Sequence, residues 1–316
     1  MSGLPEPASP TDPAGALALL TGAPTDVADG LAFTRTGRAV GSAPTLLLVH
    51  GVGAARLVWA TVLPELARRY HVIAVDLPGH GASAPLQPGR DARCRALGRQ
   101  VAAACAELGV ARPHVVGNSL GGWVGLEMAA DGATRSLTAL APAGLRIAPT
   151  APSPVLRLNR LLARTVGRAT EPLLEHSAVR RLVFASGSAD PAALDPALAR
   201  GTVRALGDST AYEAMLEATG HERFVRRSDV TVPTTIVFGD RDRILPRPNQ
   251  RREIAPDGAE WIVLPHCGHA PMWDAPQRCV EIIDSTVARA DPSPADQSRA
   301  DQSPADPSRA DQSRSE

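Results

Sequence analysis

The alternation of apolar and polar positions divides this chain into a long, regularly built middle and two ends without pattern. Short, nearly continuous apolar runs recur at residues 31 to 40 (LAFTRTGRAV), 45 to 51 (TLLLVHG), 71 to 81 (HVIAVDLPGHG), 114 to 119 (HVVGNS), 136 to 144 (SLTALAPAG), 231 to 240 (TVPTTIVFGD) and 259 to 269 (AEWIVLPHCGH). They read as strands. Stretches of helical spacing separate them at 55 to 70, 91 to 110, 120 to about 130, 246 to 256 (PRPNQRREIAP) and 275 to 289. Strands apolar on both faces, alternating with helices, predict an α/β protein with a mostly parallel sheet covered on both sides.

One interval breaks this rhythm. Residues 145 to 230 carry helical patterns such as VLRLNRLLARTVG and STAYEAMLEATGHERF and no strand pattern. A structureless loop of that length is implausible inside a compact domain, so a helical cap inserted between two strands is expected. It would lie over the C-terminal edge of the sheet, where open α/β sheets bind ligands. The core is then 27 to 144 and 231 to 289. Residues 1 to 26, rich in Pro, Ala, Ser and Thr, read as a disordered segment, and 290 to 316, a five-residue repeat of the type ADQSR without a large apolar side chain, as a disordered tail.

Composition narrows the partners. Thirty-three basic and 33 acidic residues cancel, so no overall field draws the chain to nucleic acid or to an anionic membrane. Every basic residue is arginine. The absence of lysine excludes Schiff-base and pyridoxal chemistry and the P-loop lysine. Four scattered cysteines (Cys94, Cys105, Cys267, Cys279) form no CxxC pair and read as free thiols of a reducing compartment. The first residues lack a basic region followed by an apolar one, and no run approaches the roughly 18 apolar residues of a membrane span. A cytoplasmic location is expected.

Chemistry concentrates where the strand at 114 to 119 meets the helix after it. Gly117-Asn118-Ser119-Leu120-Gly121 is G-x-S-x-G between a strand and a helix, the setting in which a sharp turn lifts a serine hydroxyl above the sheet beside a helix N-terminus. A serine hydroxyl needs a base, and the base an orienting carboxylate, in the chain order Ser, Asp or Glu, His. Downstream, GDRDRILP ends a strand with Asp240 and Asp242, and PHCGHAP ends the last strand with His266 and His269.

With these residues in view the chain resembles the α/β-hydrolase family over roughly residues 30 to 288. His50-Gly51-Val52-Gly53 is similar to its oxyanion loop, Asp76 to Ser83 to the segment that follows, GNSLGG to its nucleophile elbow, GDRDRILP to its acid loop and GHAP to its histidine loop. The resemblance implies an α/β-hydrolase fold with Ser119 as nucleophile, His269 as base and Asp242 as orienting acid, Asp240 and His266 being the alternatives. It implies an oxyanion hole of the Val52 and Leu120 main-chain N–H groups, a loop-shaping part for His50 and Asp76, and packing or pocket-lining parts for Trp59, Trp123 and Trp273. The expected activity is cleavage of small to medium carboxylic esters or lactones through an acyl-enzyme, without metal or cofactor, on a small-molecule acyl substrate.

Two alternatives use the same triad. One is acyl transfer to an acceptor other than water. The other is carbon–carbon bond hydrolysis of ring-cleavage products, whose enzymes this chain resembles in Asn118 and the helical insertion but not in Val52-Gly53-Ala54 or Ala270, and there an arginine such as Arg157, Arg180 or Arg181 would meet a substrate carboxylate.

Overall fold

The computed structural model describes residues 10–146 and 154–292. Eight strands form one sheet: β1 (Asp26–Ala28), β2 (Leu31–Gly37), β3 (Thr45–Val49), β4 (His71–Val75), β5 (His114–Asn118), β6 (Ser136–Leu140), β7 (Thr234–Gly239) and β8 (Glu260–Leu264), in the order β1-β2-β4-β3-β5-β6-β7-β8. β1 and β2 pair antiparallel, and β2 runs antiparallel to β4; every pairing from β4 to β8 is parallel.

The near-continuous apolar strands are explained by burial on both faces. Leu47 and Val49, Ile73 and Val75, Val115, and Ile236 and Phe238 point into one core with α3 (Cys94–Glu107) and α4 (Leu120–Ala130). Leu46 and Leu48, Val72 and Ala74, Val116 and Val237 point into a second core. That side is covered by α1 (Pro13–Thr21), α2 (Leu63–Ala67) and α11 (Pro276–Ala290). Each such Val, Leu, Ile or Phe side chain, fully buried, contributes about 1.5–3 kcal/mol.

Several elements differ from the sequence reading. Residues 1 to 26 are not wholly without structure, because α1 occupies part of them. Asp12 caps α1 by accepting from Gly15 N at 2.7 Å, Pro13 opens it, and the Gly22 N–H closes it on Ala18 O at 3.0 Å. Ala16 and Leu20 are buried in the second core, and buried Arg56 donates to Leu20 O at 2.9 Å and Gly22 O at 2.7 Å. At the other end, α11 runs through Ala290, and Asp291 accepts from Arg135 Nε at 3.1 Å, so the tail boundary at 290 falls too early; residues 293–316 lie outside the described residues, as do 1–9. The stretch 246 to 256 holds two 3-10 turns, Arg247–Asn249 and Arg252–Ile254, instead of a helix, its three prolines (Pro246, Pro248, Pro256) denying it a hydrogen-bonded ladder.

Between β6 and β7 the described residues are helical: α5 (Pro154–Thr165), α6 (Gly167–Thr170), α7 (Ser177–Val183), α8 (Pro196–Asp208) and α9 (Tyr212–Gly220). This insertion meets the loops at the C-terminal ends of the strands. Phe224 N donates to Gly144 O at 3.0 Å after β6, Thr210 N to Gly79 O at 2.8 Å after β4, and Ala270 N to Gly187 O at 2.9 Å after β8. Among the described residues no helix is long and apolar enough to cross a membrane.

Candidate active site

Ser119 joins β5 to α4 with φ 57° and ψ −115°, a left-handed backbone that costs a non-glycine residue about 1–3 kcal/mol. The turn is locked on both sides. Ser119 N donates to Leu140 O at 2.9 Å, and Ser119 O accepts from Trp123 N at 3.2 Å and Ala143 N at 3.1 Å. The flanking glycines follow from crowding: a Cβ on Gly117 would lie 2.2 Å from Gly121 O, and one on Gly121 would lie 2.1 Å from Val49 O. Gly51 of the loop after β3 backs onto the serine, for a Cβ there would lie 3.1 Å from Ser119 Cβ. Among the described residues, neither the Leu120 nor the Val52 main-chain N–H donates to another protein group. Two donors near the serine are therefore open at a helix N-terminus and its facing loop.

Asp242 and His269 come together from the loops after β7 and β8. His269 Nδ1 lies 2.9 Å from Asp242 Oδ2, and the other carboxylate oxygen accepts from Ile244 N at 2.9 Å and Leu245 N at 2.7 Å. Both side chains are buried. Asp242 accepts and Nδ1 carries the proton, which leaves the Nε2 lone pair free. Asn118 ties this loop to the serine turn: its Nδ2 donates to His269 O at 3.0 Å and to Leu140 O at 3.1 Å. The two alternatives sit elsewhere. Asp240 accepts from Cys267 N at 3.3 Å, and His266 is exposed with its Nδ1 against Arg241.

The loop after β3 rests on two buried histidines. His50 Nε2 accepts from Leu77 N at 2.9 Å while its Nδ1 donates to Gly51 O at 2.7 Å. His80 does the same, its Nε2 accepting from Gly53 N at 3.0 Å and its Nδ1 donating to Pro78 O at 2.9 Å. Burial pushes His50 down to about 4, and burial together with the charge His50 would carry pushes His80 down to about 3. Both stay neutral with every ring nitrogen engaged, which leaves them nothing to offer a substrate. Asp76 is raised by burial against the pull of Arg56, whose guanidinium it meets at 2.9 Å.

His80 was not singled out from sequence, and Asp274 was missed altogether. The Asp274 carboxylate in α10 (Pro271–Asp274) accepts from Gly268 N at 2.7 Å, directly before His269, and from Ser188 Oγ at 2.5 Å and Ala189 N at 3.0 Å of the insertion. It pins the histidine loop to the insertion. Trp273 continues the seam, edge-on to Phe184 with Nε1 donating to Val58 O at 3.0 Å, whereas Trp59 and Trp123 are fully buried packing residues.

A second Ser, His and Asp meet at the opposite edge of the sheet. Ser136 Oγ lies 2.8 Å from His114 Nδ1, and His114 Nε2 lies 3.3 Å from Asp291 Oδ2. Ser136 and His114 are each only 1% exposed.

A mostly parallel sheet with helices on both faces, a serine on a strand-to-helix turn and a buried His–Asp pair on later loops define an α/β-hydrolase. The chain belongs to the alpha/beta hydrolase family, whose model matches residues 46–282. It is 33% identical to epoxide hydrolase EphH of Mycobacterium tuberculosis over 59% of this chain and 91% of that one. It is 29% identical to a 2-hydroxy-6-oxononadienedioate/2-hydroxy-6-oxononatrienedioate hydrolase of Cupriavidus pinatubonensis over 73% and 82%. The enol-lactonase of Burkholderia xenovorans LB400 superposes with a TM-score of 0.62 at 23% identity, covering 81% of this chain and 95% of its own.

Proposed function

We propose that the protein is a serine hydrolase that cleaves small to medium carboxylic esters or lactones through an acyl-enzyme. The observation that carries this reading is the His269–Asp242 pair at 2.9 Å, joined through Asn118 to the turn that holds Ser119. Ser119 Oγ attacks the carbonyl carbon as its proton passes to His269 Nε2, and Asp242 holds the imidazolium that forms. The Val52 and Leu120 N–H groups receive the oxyanion. The alkoxide leaves with the proton from Nε2, and water repeats the cycle in reverse to free the acid and Ser119.

The relation to EphH supports the fold and the hydrolytic class. Residue 119 is serine where epoxide hydrolases of this fold place an aspartate, so an acyl-enzyme fits better than an alkyl ester. The relation to the oxononadienedioate hydrolase supports carbon–carbon bond hydrolysis as the second reading. Asn118, which first pointed that way, spends its amide on Leu140 O and His269 O.

The test is turnover of p-nitrophenyl esters from acetate to dodecanoate by the wild type, Ser119→Ala and Ser136→Ala. The expected result is loss of turnover in Ser119→Ala alone. Near-wild-type rates in Ser119→Ala would refute the reading, and silence of the wild type on every ester in favour of a vinylogous diketone or an added alcohol acceptor would move it to carbon–carbon cleavage or acyl transfer.

A further inference from the structure

Helix α5 is packed inside out. Its inner side, against α8, is made of Arg160 and Ala163 and is continued by Gly167 at the start of α6: the Arg160 guanidinium donates to Leu206 O, Gly207 O and Ser209 O, a Cβ on Gly207 would lie 2.9 Å from Ala163 O, and one on Gly167 would lie 3.1 Å from Val203 Cγ1. The opposite side carries Leu158, Leu161, Leu162 and, one turn on, Val166, exposed by 53%, 55%, 48% and 45%. Apolar side chains that recur at i, i+3, i+4 and i+8 make one stripe, and in a protein closed on itself that stripe faces the core. Here it faces solvent. Large contiguous exposed apolar surface marks an interaction site.

A second row runs beside the stripe. Arg157 and Arg164 share one flank of α5, Arg168 follows them in α6, and all three are exposed. Arg168 reaches Asp208 at 3.1 Å and Arg164 lies 3.9 Å from Glu213, both as open pairs that solvent screens. From 154 to 184 the chain has six arginines and two glutamates. The overall neutrality of the protein conceals this local excess.

What covers the stripe follows from the charge. The chain outside the described residues offers only Met1, Leu4 and Ile147 as large apolar side chains, too few to fill it. A second copy would set one arginine row against another. We infer that α5 is an interfacial helix, which lays its leucine stripe into the surface of an anionic lipid bilayer while the arginine row meets the headgroups. The face belongs to the insertion whose Leu206 and Tyr212 press on Gly53 of the loop beside Ser119, and Tyr212 OH donates to Leu156 O in α5 itself. The inference does not depend on the chemistry proposed for Ser119.

The test is sedimentation of the full chain with sucrose-loaded vesicles of phosphatidylcholine, with and without about 30 mol% phosphatidylglycerol. Wild type is expected in the pellet with the anionic vesicles only, and to leave it as salt rises from about 0.05 to about 0.5 M. The double variant Leu161→Asp/Leu162→Asp, at exposed positions, is expected to keep the wild-type melting temperature and soluble-ester turnover while binding at least about tenfold more weakly. Arg157→Gln/Arg164→Gln is expected to lose the preference for anionic vesicles. Wild type remaining in the supernatant overturns the inference, as does a variant that sediments like wild type. A concentration-dependent dimer abolished by the aspartates, without vesicle binding, overturns it in favour of a second copy.

Discussion

Replacing Asp274 by alanine separates what holds the histidine loop from what does chemistry. The carboxylate accepts from Gly268 N at 2.7 Å, Ser188 Oγ at 2.5 Å and Ala189 N at 3.0 Å, so alanine strands three donors around a half-buried site. Hydrogen bonds to a charged group contribute about 1.5–3 kcal/mol each, and water can reach part of this site, so a total near 3 kcal/mol is expected in place of the sum. At about 2–4 °C per kcal/mol for a chain of this size, the melting temperature should fall by about 6–12 °C. The Gly268 N–H belongs to the residue directly before His269, and a displacement of about 1 Å in a catalytic group costs about 10²-fold in rate. Turnover of a p-nitrophenyl ester, measured well below the lower melting temperature and per folded molecule by near-ultraviolet dichroism, should drop in kcat with KM little changed. Ser188→Ala, which removes the hydroxyl that donates to Asp274 and accepts from Asp190 N and leaves the Gly268 bond in place, should lower the melting temperature slightly and spare kcat. If Asp274→Ala melts early yet keeps wild-type kcat, the carboxylate braces the insertion and does nothing for His269; if neither quantity moves, the three bonds carry no weight.

The acid can be identified by comparison: Asp242→Asn should reduce kcat by about 10⁴-fold, as loss of the orienting carboxylate does in such triads, while Asp240→Asn, facing Cys267 N, should reduce it little, and the reverse ranking would exchange their roles. Stability should decline as pH falls from about 6.5 toward 4, since His50 and His80 are held at about 4 and about 3 by burial, so the unfolded chain, with histidines near 6.5, binds the extra protons; a denaturant midpoint that stays level from pH 7 to pH 5 would contradict this. Removal of residues 293–316 should leave the melting temperature unchanged, and adding Asp291→Ala to that shortened chain should lower it by about 2–4 °C through loss of the Arg135 and His114 contacts, which calorimetry can resolve.

The central strands could be read because they are buried on both faces: TLLLV and HVIAV have no polar side to mislead, and their period is visible without knowing any partner. The elements that were misread depend on single residues whose signal a compositional view averages away. α1 is announced by Asp12-Pro13 at one end and Gly22 at the other, yet it lies within a stretch that is otherwise proline- and alanine-rich, and its leucine is held by Arg56, far along the chain. The stretch 246 to 256 shows the converse, a stretch read as helical that its prolines hold to two 3-10 turns. In the candidate site, the turn at Ser119 and the loop at His269 were legible from local motifs, since a strand-to-helix turn and a Gly-His-x-Pro loop are written in adjacent residues. Asp274 was not, because its meaning lies in Ser188 and Ala189, more than 80 positions away. The arginine row on α5 was hidden by a different average, the net charge of the whole chain.

The molecule contains its own control for the claim that a Ser–His–Asp set makes a hydrolase. Ser136, His114 and Asp291 are within hydrogen-bonding reach of one another in series, as residue types a full triad. What they lack is backbone. Ser136 begins a regular interior strand, at its N-terminal end away from the insertion, with its hydroxyl shut in, so no carbonyl can approach it. Ser119, in contrast, takes a left-handed turn that four neighbouring glycines (Gly51, Gly117, Gly121, Gly122) make room for, at the start of α4 and beside the loop after β3, where the Leu120 and Val52 N–H groups have no protein acceptor among the described residues. The histidine differs as well: His269 meets its carboxylate through Nδ1 and has no protein partner at Nε2 among the described residues, whereas His114 has both nitrogens engaged. Reactivity at Ser119 and silence at Ser136 would therefore trace to strained main chain and open N–H groups, which is where the cost of the site is borne and where its substitutions should be most severe.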